Sequence, residues 1–326
     1  MSGELKLGLV SVIVASYNHA GFLDRRMESL LAQTYPNLEI LVIDDCSPDN
    51  SVEVLRRYEA DPRVKLVVRE KNGGWVVVSN QGMAMVAGEY LLLANCDDAC
   101  EPDMIACLVT ALKNHPSAGV AFCRSQLVDA YDRTLGDDFS IREASFRARC
   151  ATDTLISGVE MSRFLLNSCV IPNLSAAMVR RECLTVVGDL SPAYRVCSDW
   201  DFFFRVAANY DVAYVAAPLN RFRQHEATIR SSTKGRVTYE EYFRLLLGRI
   251  RGLNLSFRER CRYRMRTMFL WGHHLVSQPL IGLRNFPYHL WCIMKQDTPA
   301  ILFLVPAAIQ FGFVSLGRLI GRIGGK

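Results

Sequence analysis

The sequence predicts an α/β protein: a mostly parallel sheet with helices on both faces, followed by a helical C-terminal region. Three observations carry this expectation. Short, nearly continuous apolar runs alternate with helical stretches through the first 125 residues, as strands buried on both faces and their crossover helices do. Polar clusters close these runs where strands would end. Beyond about residue 235 the short apolar runs give way to Arg-rich amphipathic stretches.

The elements follow in order. Leu9–Ala15 is the first buried strand, and Gly21–Thr34 a helix with Phe22, Leu23, Met27, Leu30 and Leu31 on one side. Leu38–Ile43 is the second strand, ending at Asp44-Asp45. Asn50 opens a helix, with Glu53 three residues on as a capping box. Val64–Val68 is the third strand, and Gly73-Gly74 marks a turn into the helix Trp75–Ala87. Tyr90–Ala94 is the fourth strand, closed by Asn95-Cys96-Asp97-Asp98. Pro102 opens the next helix at a favoured first-turn position, and Ala118–Phe122 is the fifth strand. Residues 126–160 are polar and without period, an excursion near the active site. Asn173–Arg180 resumes as a strand and Trp200–Ala208 as a helix.

Composition narrows the class. Half of the 326 residues are hydrophobic and 22% are charged, as in a globular chain. A net charge of +5 is too mild to argue for a nucleic-acid partner. The Arg excess sits after Arg221, where a basic, apolar third suits an anionic membrane surface. The eleven cysteines form no Cys-x-x-Cys pair, and no His completes a zinc set around Cys96, Cys100 and Cys107. Buried free thiols in a reducing compartment account for them. The N-terminus has no signal-peptide pattern, so a cytoplasmic location is expected, peripheral on the inner face of the cell membrane. Thr298–Leu316 carries no formal charge over 19 residues, but Pro306 and Gln310 weaken a spanning segment. A surface-lying attachment fits better.

Chemistry concentrates at the strand ends: Ser16-Tyr17-Asn18, Asp44-Asp45 and Asn95-Cys96-Asp97-Asp98. In a parallel α/β sheet these ends border the ligand crevice. One acidic pair could accept hydrogen bonds from a base or ribose, and the other could hold a divalent cation through oxygen ligands. Helix capping is the competing explanation for each pair alone.

Several ordered motifs resemble family 2 glycosyltransferases of the GT-A class. They are Val10-Ser11-Val12-Ile13-Val14-Ala15-Ser16-Tyr17-Asn18, Gln33-Thr34-Tyr35-Pro36 leading to Val42-Ile43-Asp44-Asp45, Asn72-Gly73-Gly74, Asn80-Gln81-Gly82, Asn95-Cys96-Asp97-Asp98, Cys197-Ser198-Asp199-Trp200, and Arg221-Phe222-Arg223-Gln224-His225. The resemblance spans roughly residues 9–226. It implies a GT-A type, Rossmann-like mixed sheet as the catalytic domain over residues 1–235, with a helical, basic and apolar region over 236–326.

The resemblance also implies roles. Ala15, Ser16 and Tyr17 line a base pocket with Asp44 and Asp45, and Asn80, Asn95 and Cys96 belong to the nucleotide site. Asp97, Asp98 and His225 hold Mn2+ or Mg2+ against the diphosphate. Asp199 is the general base of an inverting transfer from a nucleotide-diphosphate sugar, UDP-linked by preference, to a sugar or lipid-linked acceptor of a cell-surface polysaccharide or glycolipid. Three departures stand out: Asn95 is neutral where the family has an acid, Ser79 stands where an Arg often precedes the Asn, and Ser198 replaces a Glu. Two rivals remain. A nucleotidyltransferase wants a Gly-rich, basic loop after the first strand, which Ser16-Tyr17-Asn18-His19-Ala20-Gly21 is not. A degenerate nucleotide-sugar-binding module is kept open by Asn95 and Ser198.

Overall fold

The first strand, β1 (Lys6–Ser16), lies between β2 (Leu38–Asp44) and β4 (Gly88–Asn95), parallel to both, and β3 (Val64–Val68) adds parallel to β2 at the edge. This is a computed structural model, and it describes residues 6–225, 236–277 and 279–307. The chain divides into two units: Met1–Leu165 with Cys169–His225, and Leu166–Ser168 with Glu226–Lys326.

In the first unit, β1 is buried on both faces, and the apolar run Val10–Val14 shows almost no exposure. Val10, Val12 and Val14 pack in one core with Leu23, Met27 and Leu30 of α1 (Ala20–Leu31). Burial of each such side chain contributes about 1.5–3 kcal/mol. The helix α2 (Ser51–Arg56) has Asn50 at its N-cap, but the Asn50 side chain makes no capping bond. The capping box with Glu53 does not form, because Asp49 supplants it. Asp49 Oδ1 accepts the Ser51 N–H at 3.1 Å and the Ser51 hydroxyl at 2.5 Å, and Oδ2 accepts the Ala20 N–H at 3.0 Å. One carboxylate thus anchors the starts of two helices. Next come α3 (Trp75–Met85), a short β5 (Ala99–Cys100) and α4 (Met104–Asn114).

The sheet continues past β4 to β9 (Ala177–Arg180), β6 (Ala118–Val128) and β10 (Asp211–Arg223), in the order β3-β2-β1-β4-β9-β6-β10-β5. The fifth predicted strand is longer than expected: β6 runs Ala118–Val128. The 126–160 excursion is partly ordered, as β7 (Thr134–Asp137), α5 (Ala144–Arg149) and β8 (Thr154–Ile156). After α6 (Gly158–Asn167), the expected strand at Asn173 starts later. Residues Leu174–Ala176 form a 3-10 turn, and β9 covers only Ala177–Arg180. The Asn173 side chain accepts the Ala176 N–H at 3.1 Å, which coils the backbone there. Helices α7 (Leu184–Val187) and α8 (Ser198–Ala207) precede β10 (Asp211–Arg223), a strand the apolar pattern did not reveal.

The second unit is helical, with α9 (Arg236–Tyr242), a π turn over Phe243–Leu247, α10 (Gly248–Gly252), α11 (Phe257–Ser277) and α12 (Pro279–Asp297). Phe243, Leu246, Ile250, Trp271 and Ile293 are buried in it. Arg264 closes a two-pronged pair with buried Asp297 at 2.7 and 2.9 Å. Among the described residues no helix is long and apolar enough to cross a membrane. The uncharged stretch Thr298–Leu316 lies outside the described residues beyond Ala307.

Candidate active site

Topology gathers the site. β9 runs antiparallel to β4 and β6, and β10 runs parallel to β6. One edge of the sheet therefore collects Ser16, Asp44 and Asn95 at strand carboxyl ends, Asn173 just before β9, and Arg223 at the end of β10. Ligands of open α/β sheets bind at this kind of edge.

The loops leaving β1 and β2 are tied to each other. Asp44 is fully buried. Its Oδ1 accepts the Ser47 N–H at 2.9 Å, and its Oδ2 accepts the Ser47 hydroxyl at 2.6 Å and the Ser16 hydroxyl at 3.3 Å. Ser47 Oγ in turn accepts the Asn18 N–H at 3.0 Å. Asn18 and Cys46 both sit in the left-handed region, at φ 55° and 63°. Such residues cost about 1–3 kcal/mol each and persist where surrounding contacts over-determine them. Asp45 accepts from Arg69, from the Gly73 N–H at 2.9 Å and from the Gly74 N–H at 2.8 Å. Gly74 holds φ 85°, a conformation that favours glycine and lets the turn present both amides to this carboxylate. Ala15 is half-buried and Ser16 buried, while Tyr17, 44% exposed, and Asn18 form the open part of this loop. Asn80 meets protein at both ends of its amide: Nδ2 donates to the Leu190 carbonyl at 2.8 Å, and Oδ1 accepts the Leu190 N–H at 3.1 Å.

The acidic cluster after β4 divides its labour. Asn95 donates its side-chain amide to Asp98 at 3.3 Å, while its backbone N–H donates to Ser175 Oγ at 2.8 Å. Cys96 is buried, and burial pushes its thiol well above the usual range. Asp98 has no exposed surface. It accepts the Arg223 N–H at 2.9 Å and the Asn173 amide at 2.7 Å, with Arg26 at 4.0 Å. Burial, and then the charge of Asp97, push the Asp98 carboxyl up to about 6. Asp98 thereby fastens the β10 end to the β4 turn. Arg26, which sequence reasoning missed, and Arg223, which it quoted in the 221–225 motif without a role, are two fully buried cations that complete the frame. Arg26 Nε donates to the Asn95 carbonyl at 2.8 Å, and Arg223 Nε to the Asp97 carbonyl at 2.7 Å. The sequence does not show what either one holds, because their partners come from distant strands.

Asp97 faces two imidazoles. Its Oδ2 lies 2.9 Å from His225 Nε2. Burial works against its charge, but the His225 hydrogen bond and the fields of His19 and His225 hold its carboxyl below the usual range. Ligand atoms of His19, Asp97 and His225 all lie within 4.8 Å of one another. Carboxylate oxygen and imidazole nitrogen are both donors for a divalent cation, so the residues present fit one. His19 was not singled out from the sequence. Its only signal is a histidine in the loop directly after the first strand.

Asp199 stands in the first turn of α8, half-buried, where the helix dipole favours a carboxylate. The N-cap position belongs to Cys197, so Asp199 is not the capping residue. Its Oδ1 accepts the Trp200 N–H at 2.7 Å, while Ser198 donates to the Ser191 carbonyl at 2.9 Å. α8 packs on β6 and β10 and enters β10 through a short turn. Its N-terminal end therefore points toward the carboxyl edge of the sheet.

The chain resembles known proteins in sequence and in fold. Over 235 residues, 71% of this chain and 70% of the relative, it is 27% identical to an uncharacterized glycosyltransferase of Nostoc sp.. The matched stretches make up only 13%, 34% and 39% of three other relatives, so the chain spans well under half of their length. Its fold is shared with Staphylococcus aureus TarS, solved as residues 1–349 in complex with UDP-GlcNAc (TM-score 0.66, 18% identity, 90% of this chain and 83% of that one). It is also shared with the mannosyltransferase PcManGT of Pyrobaculum calidifontis, solved with GDP-Man and Mn2+ (TM-score 0.54, 15% identity, 93% and 86%). These likenesses show the GT-A fold expected from the motifs. The glycosyl transferase family 2 profile matches residues 11–184, more than half of the sequence, and the chain belongs to that family.

Proposed function

We propose that this chain is an inverting glycosyltransferase that moves a sugar from a nucleoside diphosphate sugar, UDP-linked by preference, to an acceptor hydroxyl. The observation that carries it is the meeting of Asp97 and His225 at the carboxyl edge of the sheet, beside the loops of β1 and β2. A divalent cation, Mn2+ or Mg2+, would be held there by Asp97 and His225 and would supply charge neutralisation for a diphosphate leaving group. The rest falls to the chain. Asp44 and Asp45 shape the loops that receive base and ribose, and the open Tyr17 ring offers a stacking face. Asp98 keeps the β10 end in place so that His225 faces Asp97. Asp199 takes the proton of the acceptor hydroxyl as it attacks the anomeric carbon. TarS, with UDP-GlcNAc, and PcManGT, with GDP-Man and Mn2+, share the fold and support this reading.

We extend the proposal to the acceptor side. Residues 1–235 form the catalytic part, and residues 236–326 bring it to the cytoplasmic face of a membrane that presents a sugar or lipid-linked acceptor of a surface polysaccharide or glycolipid. In support, Leu283, Trp291 and Met294 of α12 are exposed at helical spacing, and Leu302 and Val305, beyond the break in the helix at Asp297, are exposed as well. Exposed Arg284 and Lys295 flank them, and Lys295 Nζ lies 5.1 Å from the centre of the Trp291 ring.

The deciding experiment measures release of UDP from UDP-GlcNAc, and of GDP from GDP-Man, by the purified chain with Mn2+ or Mg2+, with and without acceptor glycans. Asp199→Asn keeps the shape but takes no proton at neutral pH, so turnover should fall by about 10²–10⁴-fold with UDP affinity nearly intact. Near-normal turnover of Asp199→Asn would overturn its assignment as the base. Absence of nucleotide release from every donor would overturn the activity.

A further inference from the structure

We infer that His19 is a third protein ligand of the divalent cation, so that the site consists of one carboxylate and two imidazoles and takes a first-row transition cation in preference to Mg2+. The inference rests on the cation-binding part of the proposed function and not on sugar transfer.

The ring of His19 is set up for this role. Its Nδ1 lies 2.6 Å from the Tyr17 carbonyl oxygen. A carbonyl only accepts, so the proton sits on Nδ1, and in the neutral ring the lone pair is on Nε2. Histidines that bind metals characteristically donate their other N–H to such an oxygen, which fixes tautomer and orientation. Nε2 itself is shut off from water and has no hydrogen-bond partner among the described residues. A buried polar atom without a partner calls for a cause, and an ion at the site is one. The nitrogen is also in the right company, since ligand atoms of His19, Asp97 and His225 lie within 4.8 Å of one another.

The surroundings hold the ring there. The His19 ring lies edge-on to His225 with centroids 5.4 Å apart, and Phe22 packs against both at 5.9 and 5.0 Å. The left-handed turn at Asn18, φ 55°, is what carries the chain from the β1 end to this position. The acidic cluster has a matching gap. Asn95, at its first position, is neutral and donates to Asp98, and Asp98 is buried against Arg223 and Asn173. With Asp97 left as the carboxylate of the trio, the imidazoles supply donors without adding negative charge. Mg2+ prefers oxygen ligands and keeps its water, whereas imidazole favours transition cations, which bind nitrogen sites in the order Mn2+ before Co2+ of rising affinity.

The test reads the metal directly. Mn2+ is titrated into the EDTA-treated, dialysed full chain, alone and with UDP, and binding is followed by the paramagnetic signal of free Mn2+. The number of coupled nitrogens on bound Mn2+ is then counted by electron spin-echo envelope modulation. Wild type should show two coupled nitrogens, and His19→Ala one. Mn2+ and Co2+ affinity should fall about tenfold or more in the variant, with Mg2+ affinity far less altered. Circular dichroism of the metal-free variants establishes that they are folded. If His19→Ala is not, His19→Gln replaces it, and the wild-type nitrogen count stands by itself. One coupled nitrogen or none in wild type, the same count in wild type and variant, or no Mn2+ binding at all would overturn the inference. Loss of UDP-sugar turnover with two nitrogens still present would instead count against the transferase reading.

Discussion

Single side chains at this site are mostly committed to protein partners, and that decides what their removal does. Asp45 is 3% exposed and accepts from Arg69 and two consecutive backbone N–H groups. Asp45→Ala would leave the Gly73 and Gly74 amides without their acceptor, so stability should drop by about 1–3 kcal/mol. Nucleotide affinity should fall with it, because the 72–74 turn loses its hold on the β2 end. Asp45→Asn, which still offers one carbonyl oxygen, should fall between the two. Urea titration, with UDP binding measured in parallel, separates these outcomes. UDP binding lost without any loss of stability would mean that Asp45 touches the ligand itself. The residues that sequence reasoning marked are the ones around which the edge is organised, but the contacts of Asp44, Asp45, Asn80 and Asp98 are with distant backbone and side chains. Nothing in a linear motif distinguishes a carboxylate that meets ligand from one that shapes the loop meeting it.

At the scale of elements, the placement of Asp199 depends on how α8 is seated. Gly158, the first residue of α6, faces the end of α8: a Cβ there would lie 2.1 Å from the Ala207 carbonyl oxygen and 2.6 Å from that of Tyr210. Both obstacles are backbone, so neither can swing aside. Gly158→Ala should therefore destabilise by about 1–3 kcal/mol or more and lower turnover by displacing the helix. Gly248 is the control, since it is helical with nothing within 4 Å of its absent Cβ. Gly248→Ala should stabilise by about 0.5–1 kcal/mol. Thermal melts of both variants check the opposite signs, and equal effects would refute the steric account. The element least visible in the sequence was β10. Pro218 lacks an amide donor, and the register against β6 shifts around it. Asn220, Arg221 and Arg223 further break the apolar alternation. Their polarity is met only in three dimensions, for example by Ser125 at 2.9 Å from the buried Asn220 amide and by Glu101 at 2.7 Å from Arg221.

At the scale of the whole molecule, the exposed stripe of Leu283, Trp291 and Met294 on α12, with exposed Leu302 and Val305 after it, makes an anionic bilayer the expected surface for residues 236–326. Sedimentation with phosphatidylglycerol-containing vesicles should pull down the full chain, and raised salt should weaken the binding. Leu283→Glu combined with Trp291→Glu should abolish it, with nucleotide release from soluble donor unchanged. Equal sedimentation of the double variant would remove the stripe from the interface. The sequence by itself determined the parallel strands β1 to β4, the helices between them and the acidic strand ends, because apolar runs depend on neighbours in the chain. It also determined the family, through several motifs kept in order. Tertiary structure alone decided that β9 reverses within the sheet, that β10 enters between β6 and β5, and that His19 joins Asp97 and His225, which the motifs had already paired. Those outcomes depend on strand pairing and burial between residues far apart in the chain, such as Val120 with Val179 and Asp97 with His225, and a polar side chain shows its target only when the fold has brought the target to it.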